Sequence, residues 1–493
     1  MKKNNSLWPL CSFKKKIMIT QFINGEWIEA IDKNEIDLIN PATEETIHRL
    51  SYANDKDCHA AIDAAQAAFK TWSKTTPYYR ADILKKAAGY LRDNIDAIAK
   101  DMVLESGKPF TEAKGEWAVA ANLFEWYAEE GKRAYGKVIP SVRADKRMHV
   151  IYQPMGVIGV ITAWNFPAYN PARAWAAALA AGCTVVAKPS ENTPLAGMHM
   201  AKALEAAGLP KGVLNVLIGK ASAIGDEMLN NPLLKKISFT GSTAVGKLLM
   251  DGASRTNTKL ALELGGNAPV IIFEDADVEA VAKVASVARF RNNGQVCIAP
   301  QRFYVHKNIY NQFAESVSKH VAKLKVGNGF EEGVQIGPLI TRKQRDSVLQ
   351  LMEETISENA EVLAGGYVPQ HLSKGYFFQP AVIGNLNQSS TLARNEIFGP
   401  VLPLFSFEEF DEVIEKANDT EYGLAAYLFT NDIKTSIRAS EALEFGMVGI
   451  NEWAPHGTEA PFGGWKQSGQ GHESGSEGLF EYMEKKLISI GGV

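Results

Sequence analysis

Residues 156–194 read GVIGVITAWNFPAYNPARAWAAALAAGCTVVAKPSENTP, and their pattern decides the fold. The apolar, β-branched run predicts a buried strand over 157–162. The alanine-rich run over 171–181 predicts a helix, closed by Gly182. A second strand follows over 184–187. Further on come a helix over 195–207 ended by Gly208 and Pro210, strands over 213–218 and 237–239, then Gly241 and a helix from Thr243. Strands alternating with helices at this spacing imply βαβ units and a parallel, doubly wound sheet. A second α/β run begins near Leu264, with strands over 270–273, 303–306 and 426–429. Upstream, residues 55–131 read as helices; Ile83, Leu84, Ala87, Ala88, Leu91, Ile95 and Ile98 keep helical spacing within 79–100. The closing apolar segment, Leu487-Ile488-Ser489-Ile490, reads as a strand that pairs with another element or subunit.

The chain has 493 residues, a formal charge of −4, 46% hydrophobic and 22% charged residues. That length suits two to three domains. Mixed charges leave no basic footprint for nucleic acid. The longest apolar stretches fall far short of the roughly 20 residues that span a bilayer, so no membrane partner is expected. The 4 cysteines, Cys11, Cys58, Cys183 and Cys297, form no C-x-x-C pair, which argues against a structural metal site. Cysteine scarcity suits a reducing compartment and predicts a cytoplasmic protein. Residues 1–18 carry Lys2, Lys3 and Lys14 to Lys16 around a short apolar patch, without the long apolar segment and cleavage site of a signal peptide. Translation from Met18 is a plain alternative, since QFINGEWIEA from Gln21 reads as the start of the fold.

Several short segments carry chemistry. Cys297 follows Phe290-Arg291-Asn292-Asn293-Gly294-Gln295-Val296, a polar, glycine-containing context that suits an accessible thiol. A lone cysteine is otherwise most often a small buried hydrophobe, and that reading stands for Cys183. In Leu262-Glu263-Leu264-Gly265-Gly266-Asn267, a carboxylate lies among apolar residues. It is either a structural ion pair or a general base whose pKa burial raises. The glycines after it permit close approach of a ligand or backbone. Thr162-Ala163-Trp164-Asn165-Phe166-Pro167 ends a strand, where ligands of open α/β sheets collect. The Asn165 amide there is either an oxyanion donor or a turn former. Lys188-Pro189-Ser190-Glu191 also ends a strand and could meet ribose hydroxyls. Gly241 and Ser242 open a helix whose N-terminus can take a phosphate. Neither G-x-G-x-x-G nor a Walker loop is present.

Taken in order, WNFP, KPSENTP, FTGSTAVG, LELGGNAP, GQVC, EIFGP (396–400) and PFGGWKQSG (461–469) resemble the aldehyde dehydrogenase superfamily from about Phe22 to the C-terminus. The resemblance implies two doubly wound α/β domains, cofactor-binding and catalytic, plus a small β oligomerisation arm. It divides the chain into an extension at 1–20, a NAD(P)-binding domain at 21–138 and 156–264, a catalytic domain at 265–452, and an arm at 139–155 and 470–493. It implies a homo-oligomer, dimer or tetramer. It makes Cys297 the nucleophile, Asn165 with a backbone N–H at Cys297 the oxyanion site, and Glu263 the base that hydrolyses the thioester. Thr162, Trp164, Asn165, Lys188, Ser190, Glu191, Gly241, Ser242, Leu264, Glu396 and Phe398 fall in the cofactor site. NAD is expected, with NADP possible in principle; Glu191 would repel a 2′-phosphate.

Arg173 and Arg291 match arginines that bind the distal carboxylate in succinate-semialdehyde dehydrogenases, and Glu129-Glu130-Gly131-Lys132-Arg133 also resembles that subfamily. Guanidinium groups suit a carboxylate, although ion-paired surface arginines would read the same way. His456 stands where that subfamily has a helping serine, which opens the substrate to glutarate semialdehyde, betaine aldehyde or another amino-aldehyde. Ala299 stands where some relatives carry a second cysteine, so no disulfide switch is expected. Retention of Cys297 and Glu263 argues against a CoA-acylating enzyme and against an inactive relative of this fold.

Overall fold

The computed structural model describes residues 16–493. Cys11 and the lysines before Lys16 lie outside the described residues, as does most of the expected extension. Met18–Ile19 already forms a short strand parallel to Arg49 and Leu50.

An eight-stranded sheet carries the parallel core, in the order Lys259–Glu263, Leu234–Thr240, Val157–Ile161, Thr184–Lys188, Leu214–Val216. The chain enters at Val157–Ile161, winds two strands to one side, then returns to build the other. This reversal opens a crevice at the carboxyl ends of Val157–Ile161 and Leu234–Thr240, where ligands of such sheets bind. The hairpin Gln21–Ile23 and Glu26–Ile28 extends one edge antiparallel. Its turn, Asn24-Gly25, has φ of 51 and 71°, the double positive that a tight hairpin turn demands.

The helix Tyr169–Ala181 is buried from Asn170 to Ala181. Alanine makes this possible, because small side chains let sheet and helices approach from all sides. Gly182, at φ 95°, ends the helix in the left-handed conformation. The helical spacing across 79–100 does not form one helix. Pro77–Asp93 and Ile95–Ser106 meet at Asn94, whose side chain bonds the Tyr90 carbonyl. The apolar stripe continues across the break because both helices pack on the same core.

A seven-stranded sheet forms the second α/β layer, with Ala268–Ile272 between Pro300–His306 and Ala425–Phe429, all parallel. The terminal strand extends over Met483–Gly491 and pairs antiparallel with Lys146–Pro154, which also holds Lys137–Ile139. No helix among the described residues is long and apolar enough to cross a membrane.

Candidate active site

A cavity of about 780 Å³ occupies the crevice. At one end Gly241 and Ser242 precede the helix Thr243–Ser254, and the Ser242 hydroxyl accepts the Val245 N–H. Thr162, Trp164, Lys188 and Ser190 line the middle, from two adjacent strand ends. Glu263, Leu264, Cys297, Glu396 and Phe398 close the other end, beside Asn165. Glu191 stands at the rim, its carboxylate 2.6 Å from Lys188 Nζ. The helices Ala221–Asn230 and Arg342–Ser357 supply further walls, through Ala221, Gly225, Gln344 and Leu351, which sequence reading missed. Their residues carry no chemical signature, only position.

The two glycines after Glu263 have separate steric tasks. A Cβ on Gly265 would stand 2.8 Å from a Glu396 carboxylate oxygen. A Cβ on Gly266 would strike the Cys297 carbonyl at 2.3 Å. Glycine here lets the Glu396 segment and the cysteine segment close on the strand end. The Gly266 N–H then donates to Glu396 at 3.0 Å. Phe398 adopts φ 46°, a left-handed strain for a bulky residue, and its ring meets Trp164 edge-on at 5.5 Å. Arg289 holds this loop in place by donating to the Gly399 and Val401 carbonyls.

Glu263 is 3% exposed and one carboxylate oxygen has no partner. Burial holds its pKa well above the usual range; Glu473 pushes the same way and Arg173 opposes. The Cys297 thiol is pushed up to about 12 by burial, with Arg173 again opposing. Burial thus favours the neutral form of both groups, and Arg173 is the cation that opposes it at both. Asn165 is fixed on both sides of its amide: Nδ2 donates to the Gln295 carbonyl at 3.1 Å and Oδ1 accepts from Asn170 at 3.2 Å. The loop to Cys297 turns through Asn292 and Asn293, at φ 49 and 58°.

Arg173, Arg291 and His456 lie outside the lining of this cavity, around the aromatic rings of Tyr169, Phe166 and Phe462. Arg173 is 1% exposed, sandwiched between Tyr169 and Phe462, with Nε 2.8 Å from the Glu473 carboxylate. Its Nη1 is buried without a partner. Arg291 is exposed and lies 5.1 Å over the Phe166 ring. His456 packs edge-on to Tyr169 and Phe462; burial and the two arginines lower its pKa to about 4, so it is a neutral imidazole. Its Nδ1 is buried and unpartnered. Glu473 had no readable signal, since a glutamate in a glycine-rich segment looks like surface.

A cleft that runs from a helix N-terminus to a thiol and a buried carboxylate, at a switch point of a parallel sheet, is the ligand crevice of an α/β enzyme. The chain belongs to the aldehyde dehydrogenase family, whose sequence model matches residues 27–488. It is 44% identical over 469 residues to the succinate-semialdehyde dehydrogenase [NADP(+)] of Escherichia coli K12, covering 95% of this chain and 97% of that protein. It is 41% identical over 472 residues to a 3-sulfolactaldehyde dehydrogenase of Pseudomonas putida, covering 96% and 97%. Its structure matches a Staphylococcus aureus betaine aldehyde dehydrogenase in complex with NAD+ at a TM-score of 0.94, with 37% identity over 96% of this chain and 95% of that one.

Proposed function

We propose that the protein oxidises an aldehyde bearing a distal anion, with succinate semialdehyde the first substrate to test, to the acid with NAD(P). The observation that carries this reading is the exposed guanidinium of Arg291 over the ring of Phe166, the residue after Asn165, with no salt bridge to it among the described residues. Cys297 gives up its proton to solvent and attacks the aldehyde carbon as the thiolate. The oxyanion is held by the Asn165 amide and the Cys297 N–H. When bound, the nicotinamide supplies the hydride acceptor that turns the adduct into a thioester. Glu263 then takes a proton from water, hydroxide adds to the thioester, and the thiolate leaves. A 3-sulfolactaldehyde reading is favoured by one specific feature. A sulfonate offers three oxygens, and the unpartnered Nδ1 of neutral His456 gives the arginine pocket a further hydrogen-bonding atom.

The cavity fits a dinucleotide: a helix N-terminus at one end, Lys188 and Glu396 between, and open space to Cys297. Glu191 supports NAD over NADP, because a carboxylate there accepts ribose hydroxyls and repels a 2′-phosphate. The test is a kcat/KM panel with NAD and NADP, using succinate semialdehyde, glutarate semialdehyde, 3-sulfolactaldehyde, betaine aldehyde and a neutral aldehyde. An anionic aldehyde with NAD should lead. A neutral or cationic leader removes the anion reading and leaves the family activity standing.

Glu396 adds a pH dependence. Burial pushes its carboxyl up to about 7, the Gly266 N–H opposing. Ribose hydroxyls bind the ionised form, so cofactor affinity is full above that pH and falls as Glu396 protonates below it. Fluorescence titration of NADH should show binding weakening about tenfold from pH 8 to pH 6, one decade per pH unit below the pKa. The Glu396→Gln variant should bind weakly and flatly. A wild-type profile as flat as the variant's would remove Glu396 from cofactor binding.

The free thiols of Cys58, Cys183 and Cys297 support a cytoplasmic location. Exposed Val138, Leu487 and Ile490 support burial against a second copy in a homo-oligomer, which sedimentation would measure. The same reading keeps the division into cofactor domain, catalytic domain and arm stated above.

A further inference from the structure

Behind Asn165 lies a charged pair to which the chemistry above gives no task. Lys108 joins the helices Ile95–Ser106 and Phe110–Glu130, and Glu116 sits two turns further on. Their side chains are 1% and 2% exposed. Lys108 Nζ donates to Glu116 Oε2 at 2.5 Å and to the Asn165 backbone carbonyl at 3.0 Å, and lies 4.7 Å over the Phe166 ring. Glu116 Oε1 accepts the N–H groups of Ala168 and Tyr169, at 2.8 and 3.1 Å, where the helix carrying Arg173 begins. Asn292, in the loop before Cys297, donates its amide to the same Asn165 carbonyl at 2.9 Å. Its own N–H donates to Glu112 at 3.0 Å.

One buried pair thus grips both ends of the segment 165–169, and the nucleophile loop is tied to the same carbonyl. Stability alone does not account for it, because a buried ion pair is often no better than apolar packing of equal volume. Geometry does. An oxyanion donor works only when its N–H waits at the place where charge develops, and the layer behind it sets that place.

We propose that Lys108–Glu116 is a positioning element of the oxyanion site, holding the Asn165 peptide from behind so that its amide faces Cys297. The inference rests on Asn165 being the oxyanion donor. Neither Lys108 nor Glu116 touches the reacting atoms, so both act through Asn165.

The test is a double-mutant cycle on the pre-steady-state rate of NADH formation. Lys108→Met alone would strand a buried carboxylate, so the charge-balanced Lys108→Met/Glu116→Gln pair is used, with thermal denaturation to establish folding. In the wild-type background it should slow the burst about 10- to 100-fold, the effect of a small misplacement of a catalytic group. KM for NAD should move less than about twofold, since uniform cofactor binding is untouched. In an Asn165→Ala background the same pair should cost less than about threefold, because coupled sites are not additive. Lys108→Gln/Glu116→Gln, which keeps amide donors at both places, should recover most of the rate. A full cost in both backgrounds, or no cost in the wild type, overturns the inference. Unchanged activity in Asn165→Ala itself overturns the oxyanion reading and the inference with it.

Discussion

Cys297→Ala should form no measurable NADH from any aldehyde, while Glu263→Gln should form one equivalent per active site and then stall. The first loss is on the order of a millionfold, as when a covalent nucleophile is removed from other enzymes. The second follows from the different places of the two groups in the reaction. Without a base, hydrolysis of the thioester slows about 10²- to 10⁴-fold, the usual worth of general-base catalysis. Acylation survives because Cys297 can lose its proton to solvent, at a cost set by the burial that pushes the thiol up to about 12. The burst in Glu263→Gln should therefore keep its amplitude and accelerate with pH, about tenfold per unit below the thiol pKa. Rapid-quench or stopped-flow measurement separates amplitude from rate. Steady-state activity in Cys297→Ala would sink the covalent mechanism. A burst missing at every pH would move Glu263 into the acylation step.

Much of this site is legible in the sequence, for identifiable reasons. Residues at strand ends are readable because strand periodicity locates the ends, and parallel sheets bind ligands there. The Gly265-Gly266 pair is readable because adjacent glycines after a strand announce a close approach, and the Glu396 carboxylate and Cys297 carbonyl are what approach. Asn24-Gly25 specifies its hairpin by itself. What the sequence hides is burial of charge. Lys108, Glu116 and Glu473 look like solvated surface until contacts 57 and 300 residues away in sequence, with Asn165 and Arg173, enclose them. Asn94 shows the same limit in the backbone: apolar spacing survives a helix break when both pieces share a core.

Arg173 and Arg291, alike in sequence, should fail differently when removed. Arg291 is exposed and has no salt bridge among the described residues, which leaves its guanidinium available to a substrate anion. Arg291→Ala should cost about 1.5–3 kcal/mol, the worth of hydrogen bonds to a charged group. That is roughly one to two decades in kcat/KM for succinate semialdehyde, with a neutral aldehyde unaffected. Arg173 is spent differently, on Glu473 at 2.8 Å. Arg173→Ala leaves that carboxylate buried and unpaired, which costs about 3–5 kcal/mol of stability. It also removes the cation that restrains the raised pKa of both Glu263 and Cys297. Both pKa values rise further, less base and less thiolate are present at neutral pH, and every aldehyde slows. The pH profile of the surviving activity should shift upward for Arg173→Ala and stay in place for Arg291→Ala. Equal losses on charged and neutral aldehydes in Arg291→Ala would show that it, too, is structural. A selective loss in Arg173→Ala, with an unmoved profile, would show instead that its unpartnered Nη1 reaches the substrate anion and that Glu473 needs no cation.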